Sequence, residues 1–337
     1  MKDRPQRRPG RLAGLTGSVL LVTGIALVAL IPAAFPLTGQ ELPGGYVPPA
    51  DIEAHTAWIT SGGSRIHAEV FTPRDAPEGA LPTILTAHGW GGNAALLRND
   101  AVDLARAGYR VVNFDYRGWG ESEGRLVPVA PLPGDRPEGP FVVEVQEVRG
   151  IIDPWEQVED WFQVIHWAVG EPGVDPERIG LRGTSFSGGH VVYVAAHDPR
   201  VRTIVSQVPA SDIARGMPQM FAGWEAEATA RARGEQGFPE PFVRQFNLTG
   251  LPLGDAVMRY APNEVAHRVR APALFVVAEN EELYTNESQA LLAYARVQGP
   301  SRYVVIPEIT HYGIYGAARE EAIELAIEWF DEHLRGP

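Results

Sequence analysis

Cysteine is absent from this chain, and lysine occurs once, at position 2, beside 28 arginines. Without a thiol there is no thiolate nucleophile, no Cys-ligated zinc, no iron–sulfur cluster and no disulfide framework. Positive charge is scarce as well. The 42 acidic residues outnumber the 29 basic ones, for a net charge of −13. That balance argues against nucleic-acid binding, which needs a basic surface to displace counterions. Phosphate-loop and dinucleotide fingerprints are missing too. What is present is a chain of 337 residues, 45% hydrophobic, with 36 Gly and 29 Pro. This excludes a disordered or collagen-like chain and leaves ample core for one large domain or two modest ones. The preference for arginine over lysine points to a GC-rich bacterial genome.

Basic residues concentrate at one end. Residues 1–11 form a tail with Lys2, Arg4, Arg7, Arg8 and Arg11 against Asp3 alone. Residues 12–36 carry no charge, and the 24 residues from Leu12 to Phe35 are almost all apolar. As a helix they would extend about 36 Å, enough to cross a hydrocarbon core of about 30 Å. The expectation is a single-pass anchor in the cell membrane, with the tail cytoplasmic and the remainder extracytoplasmic. The alternative is a cleaved signal segment and a secreted protein. Such a segment has a shorter apolar region and a small-x-small cleavage site, which Pro32-Ala33-Ala34-Phe35 matches poorly. Residues 37–54, rich in Gly and Pro, read as a linker.

From 55 to 335 the chain alternates apolar runs with helical patterns. Strands are expected at Arg65 to Phe71, Thr83 to Ala87, Tyr109 to Phe114, Arg178 to Arg182, Thr203 to Val208, Ala273 to Ala278 and Tyr303 to Ile306. Helices are expected at Leu96 to Ala107, Asp153 to Gly170, Gly188 to about His197, and through Ile323 to Phe330. Strands separated by helices, each strand nearly all apolar, indicate an α/β fold whose mostly parallel sheet is covered on both faces. Two segments interrupt the alternation. Arg125 to Asp153 reads as a Pro- and acid-rich loop, and about 211–270 as a mainly helical cap over the site.

The sharpest chemical signal is Gly183-Thr184-Ser185-Phe186-Ser187-Gly188-Gly189, between a strand and a helix. A serine in such a turn sits with its hydroxyl at the sheet edge, and small residues two before and two after let strand and helix nearly touch. Gly183 and Ser187 meet that need for Ser185, although the second position is usually glycine. A rival register makes Ser187 the nucleophile, framed by Ser185 and Gly189. His88-Gly89-Trp90-Gly91-Gly92 follows an early strand, so the backbone N–H groups of Trp90 and Phe186 are the natural pair of oxyanion donors. His88 itself is expected to order that loop.

A serine hydroxyl needs a base, and the base a carboxylate to orient it. Among nine histidines, His311 follows the last strand and precedes the final helix. His190 and His197 lie in the helix after the serine and read as packing or surface residues. The acid should follow the strand ending at Ala278, where Glu279, Glu281 and Glu282 compete; Glu281 is preferred. The order Ser, acid, His is that of α/β hydrolases.

These motifs carry a resemblance over residues 55 to 335. Asp115-Tyr116-Arg117-Gly118-Trp119-Gly120-Glu121-Ser122 resembles the Asp-x-Arg-Gly-x-Gly-x-Ser signature of the α/β-hydrolase superfamily. Val174-Asp175-Pro176-Glu177-Arg178-Ile179 and His311-Tyr312-Gly313-Ile314-Tyr315 are similar to its bacterial dienelactone-hydrolase-like, acetyl-xylan-esterase-like and Xaa-Pro-peptidase-like members. In these the acid is usually Asp, so Glu281 departs from the pattern. The resemblance implies a serine hydrolase needing no cofactor or metal and acting on a small ester or related acyl substrate. Peptidase, amidase, thioesterase and acyltransferase chemistry share the fold, and a non-catalytic binding protein is the rival of another class. A peptidase would hold the substrate amine with acids such as Glu225 and Glu227. Cap residues Phe221, Trp224, Phe238 and Phe242, with Met217 and Met220, either line an acyl pocket or pack the cap on the sheet.

Overall fold

In a computed structural model of the chain, residues 38–237, 244–245 and 248–335 are described. The basic tail and the run from Leu12 to Phe35 lie outside the described residues, as do Phe238 and Phe242. Among the described residues no helix is long and apolar enough to cross a membrane.

Nine strands form one sheet: β1 Thr38–Gln40, β2 Ile52–Ser61, β3 Ser64–Pro73, β4 Leu81–Ala87, β5 Arg110–Phe114, β6 Val174–Thr184, β7 Val201–Gln207, β8 Ala273–Asn280 and β9 Ser301–Thr310. Their order across the sheet is β1-β2-β3-β5-β4-β6-β7-β8-β9. From β5 to β9 neighbouring strands run parallel, while β1, β2 and β3 join as an antiparallel flank. The apolar runs of the inner strands follow from burial on both faces. On β8, Ala273, Phe275 and Val277 enter one core and Leu274, Val276 and Ala278 the other. Because side chains alternate along a strand, covering both faces favours apolar residues at successive positions.

Helix α1 (Arg98–Arg106) and the C-terminal helix Arg319–Leu334 cover one face; α2 (Pro154–Gly170) and α3 (Phe186–Ala195) cover the other. Asp153 caps α2 by accepting from the Trp155 and Glu156 N–H groups, with Pro154 in the first turn. Its inward stripe of Val158, Trp161, Val164 and Ile165 is buried.

Four expectations need correction. Residues 37–54 are not merely a linker: β1 and the start of β2 belong to the sheet, and Leu42 is buried in its core. The alternating β2 carries His55, Thr56 and Thr60 among its apolar residues, which dilutes the apolar signal. The Arg125 to Asp153 loop contains a hairpin of Arg125–Pro128 with Val145–Val148, and Ile151–Ile152 pairs in parallel with Leu251–Pro252. Among its described residues the segment after β7 is less helical than expected: Trp224–Ala232, three shorter α-helices and two 3₁₀ turns flank three two-residue strands. Helix α3 begins at Phe186, two residues before Gly188, because the turn at Ser185 is tight enough to start it at once.

Candidate active site

Ser185 stands between the end of β6 and the start of α3 with φ 56° and ψ −120°, a backbone conformation costly for a residue with a Cβ. Neighbouring backbone holds it there. The Ser185 N–H donates to the Gln207 carbonyl at 2.8 Å, and its own carbonyl accepts from Gly188 and Ala210 at 2.9 Å each. The need for small residues is visible in the contacts. A Cβ on Gly183 would lie 2.1 Å from the Ser187 carbonyl oxygen, and one on Gly89 would lie 2.8 Å from Ser185 Cβ. The second contact also places the His88–Gly92 loop directly against Ser185.

His311, just after β9, brings Nε2 to 3.1 Å from Ser185 Oγ, and its Nδ1 lies 2.8 Å from Glu281 Oε2. The His311 and Glu281 side chains are each only 2% exposed. The other two glutamates do different work. Glu282 accepts the His311 backbone N–H at 2.5 Å, and Glu279 accepts the N–H of Glu308 at 2.8 Å, a residue at φ 61°. Three nearby carboxylates thus have distinct partners, and Glu281 alone meets the imidazole. Tyr284 braces the same corner, its hydroxyl donating to the Val208 carbonyl at 2.8 Å. Val208 also sits at positive φ, 37°.

Ser187 faces away from the site. Fully buried, it lies 2.7 Å from the Tyr116 hydroxyl, which in turn accepts from Trp161 Nε1 at 2.8 Å. The rival register therefore places its serine in the core. His88 is also buried; its Nδ1 lies 2.8 Å from the Gly89 carbonyl, and burial lowers its pKa. Asp115, from the signature after β5, accepts His67 Nδ1 at 2.9 Å and the N–H groups of Ala94 and Glu121. Burial acts to raise the Asp115 pKa, but the His67 hydrogen bond and the nearby His88 and His67 charges leave it below the ordinary value. Asp115 and His88 thus order the loop that carries Trp90. The Trp90 N–H makes no hydrogen bond among the described residues, and Phe186 opens α3, so its N–H has no intrahelical acceptor.

A cavity of about 310 Å³ opens over Ser185, walled by Trp90, Leu96, Leu97, Leu248, Tyr312 and Tyr315 with the His88–Gly89 backbone. Its wall among the described residues holds no carboxylate other than what lies behind His311. The cap aromatics are elsewhere: Met220 and Phe221 are buried in the core, and Met217 and Trp224 pack against it. Glu225 and Glu227 are exposed, the latter 3.7 Å from Arg231. The cap reaches the site through Leu248 and Thr249, against which Gly91 packs so closely that a Cβ would lie 2.4 Å from the Thr249 carbonyl oxygen.

Sequence reasoning missed Leu96, Leu97, Leu248, Thr184, Tyr284 and the two tyrosines as walls or braces. Tyr312 and Tyr315, three apart on a turn beginning after His311, were readable as sharing one side of that turn. It also missed a buried chain beneath the site. Arg182, in the buried second half of β6, donates to Asp100 at 2.8 Å and to Gln207 at 3.0 Å, and Gln207 donates to Thr184 at 3.1 Å. Thr184 Oγ1 lies 2.7 Å from the Tyr315 hydroxyl. An arginine among the small and apolar residues that end this strand was the available signal, since a buried charge must find a partner.

Comparison with known proteins agrees with this architecture. Residues 62–233 match the model of the X-Pro dipeptidyl-peptidase (S15) family. An uncharacterized 31.7 kDa protein from the traX-finO intergenic region of Escherichia coli is 29% identical over 297 residues, 77% of this chain and 94% of its own. The thiohydrolase aneE of Aspergillus aculeatus is 31% identical over 182 residues, 51% of this chain and 50% of its own. Acetyl xylan esterase 1 from Thermoanaerobacterium sp. JW/SL YS485 is similar in structure, with TM-score 0.56 and 22% identity over 86% of this chain and 88% of that one. Likeness at that identity establishes a shared α/β-hydrolase fold. With the family model spanning half of its length, the chain belongs to the X-Pro dipeptidyl-peptidase (S15) family of α/β hydrolases.

Proposed function

We propose that this hydrolase cleaves carboxylic esters with Ser185 as nucleophile, His311 as base and Glu281 as the orienting acid. The observation that carries the reading is the continuous line Ser185 Oγ–His311 Nε2 at 3.1 Å and His311 Nδ1–Glu281 Oε2 at 2.8 Å, under an open cavity. Ser185 Oγ attacks the acyl carbonyl while His311 Nε2 takes its proton. The Trp90 and Phe186 N–H groups receive the developing oxyanion, and Glu281 stabilises the imidazolium. The imidazolium returns the proton to the leaving alcohol, and water, activated by His311, releases the acyl group from Ser185.

The cavity favours an acyl group over a peptide terminus. Removing a dipeptide requires holding the substrate's α-ammonium, and the acids suited to that, Glu225 and Glu227, do not line the cavity. A thioester is the second substrate to consider, because of the likeness to a thiohydrolase. The test is to treat the full-length protein with a fluorophosphonate and map the adduct. Turnover of p-nitrophenyl esters of rising acyl length, a matched thioester and an Ala-Pro anilide follows. Labelling of Ser185 with ester turnover supports the proposal. Cleavage of the anilide alone replaces it with a peptidase, and no labelling of folded protein removes the nucleophile.

The uncharged run from Leu12 to Phe35 is the proposed tether, holding the hydrolase domain outside the cytoplasm. Carbonate extraction of membranes tests it: protein released with a new N-terminus past residue 30 would mean a cleaved signal.

A further inference from the structure

A second cleft, of about 480 Å³, opens at the opposite end of the sheet, where β7 and β8 begin. Arg202, Arg268 and Arg270 line it with His197 and His333. A shallower depression continues from it, sharing Arg268 and Arg270 and adding His267 and Gln298. In a chain of net charge −13 most described arginines are held by a carboxylate. These three are not. The Arg202 and Arg270 side chains make no hydrogen bond or ion pair among the described residues, and the Arg268 side chain reaches only His197 Nε2 at 3.4 Å. The one carboxylate in the cleft, Asp198, is engaged by Arg200 at 2.5 Å. All three guanidinium side chains belong to exposed residues, so they point to solvent rather than into the fold.

Three unneutralised guanidinium groups around one concavity repel each other, and an anion with several oxygens relieves that repulsion. Arginine's planar fork matches phosphate oxygens two at a time, and a dianion gains more from three such groups than a carboxylate does. We infer that this cleft binds a phosphate-bearing anion, separate from the hydrolase site and independent of what Ser185 does. Its size admits more than inorganic phosphate: a diphosphate, or a phosphate with an organic group attached.

The experiment is calorimetric titration of the full-length protein with pyrophosphate and, separately, with water-soluble dihexanoyl phosphatidic acid. The double variant R268A/R270A should weaken binding at least about tenfold, because hydrogen bonds to charged groups are lost. The variant R136A removes an exposed arginine elsewhere and should leave it unchanged. The basic tail at residues 1–11 is common to all three proteins, so the difference reports the cleft. A thermal melt matching the parent's shows that the double variant is folded. Tighter binding of pyrophosphate assigns a soluble phosphate compound, and tighter binding of the lipid a headgroup. No binding of either at millimolar concentration, or equal weakening in R136A, overturns the inference.

Discussion

Replacing Glu281 by Gln tests the site where it departs from its relatives' usual aspartate. Glu281 accepts two hydrogen bonds, Oε2 from His311 Nδ1 at 2.8 Å and Oε1 from the Leu283 N–H at 3.1 Å. Gln has one oxygen. If that oxygen serves Leu283, the amide NH₂ faces Nδ1 and stabilises the tautomer protonated on Nε2, which cannot take the Ser185 proton. If it serves His311, the NH₂ meets the Leu283 N–H. Either way the charge opposite the imidazolium is gone. With charge centres about 4 Å apart and an effective dielectric near 20, that attraction is about 4 kcal/mol, or about a thousandfold in rate. The E281Q variant should therefore lose about three orders of magnitude in kcat for a p-nitrophenyl ester, with KM changed little. In E282Q the new amide oxygen can still accept the His311 backbone N–H, and E279Q keeps its bond to Glu308 in the same way. Both should stay within about fivefold of the parent, since one acceptor oxygen replaces another. Thermal melts of all three separate folding from chemistry. Activity above a tenth of the parent's in E281Q, or an equal loss in E282Q, would refute the assignment.

Three further outcomes are expected. S187A should keep ester turnover within about threefold and lose about 1 kcal/mol of stability, since it removes one of the two partners of the buried Tyr116 hydroxyl and leaves Trp161 in place. Abolished activity in a folded S187A would instead make Ser187 the nucleophile. L248W narrows the cavity from the cap side, so octanoyl esters should lose at least about tenfold in kcat/KM relative to acetyl esters. An unchanged chain-length profile would place the acyl group elsewhere. His190 is buried between the Tyr260 hydroxyl, 2.6 Å from Nδ1, and Gln157 Oε1, 2.9 Å from Nε2, and burial lowers its pKa to about 3. The unfolded chain takes up this proton near pH 6.5 and the native one does not until about 3. Its contribution, present above 6.5, is thus lost as pH falls through that window, by as much as about 4 kcal/mol. H190N should be less stable at pH 7 yet show a flatter decline in melting temperature from pH 6.5 to 4; a parallel decline would show that His190 is not the acid-sensitive group.

The parts legible in the sequence are those where one local constraint dominates. The inner strands had to be mostly apolar on both faces, and the elbow had to be flanked by Gly183 and a small residue because the Ser187 carbonyl passes so near. His311 and the cluster at 279–282 were likewise placed by following strand ends. Motif order could not show that Glu279, Glu281 and Glu282 divide among a backbone N–H, an imidazole and a second backbone N–H. That division depends on how β8 and β9 are staggered. Leu248 was unreadable for a similar reason. It lines the cavity over Ser185 where Ile151–Ile152 anchors the nearby Leu251–Pro252, a long-range pairing of two residues with no periodic signal. β2 was overlooked because its polar residues blur the alternation while its partners on both sides supply the stability.

The three residues of β1 set a limit on where this chain can be cut. They occupy part of the outer row of backbone donors and acceptors of β2, at Ala57 and Thr56. Bared, that row is a template on which another molecule's strand can add, and unprotected sheet margins are where soluble proteins begin to aggregate. A protease releasing the domain from residues 12–36, in the cell or at the bench, therefore has a narrow window. Cleavage ahead of Thr38 leaves the margin dressed, whereas cleavage a few residues later should yield an active hydrolase that slowly self-associates.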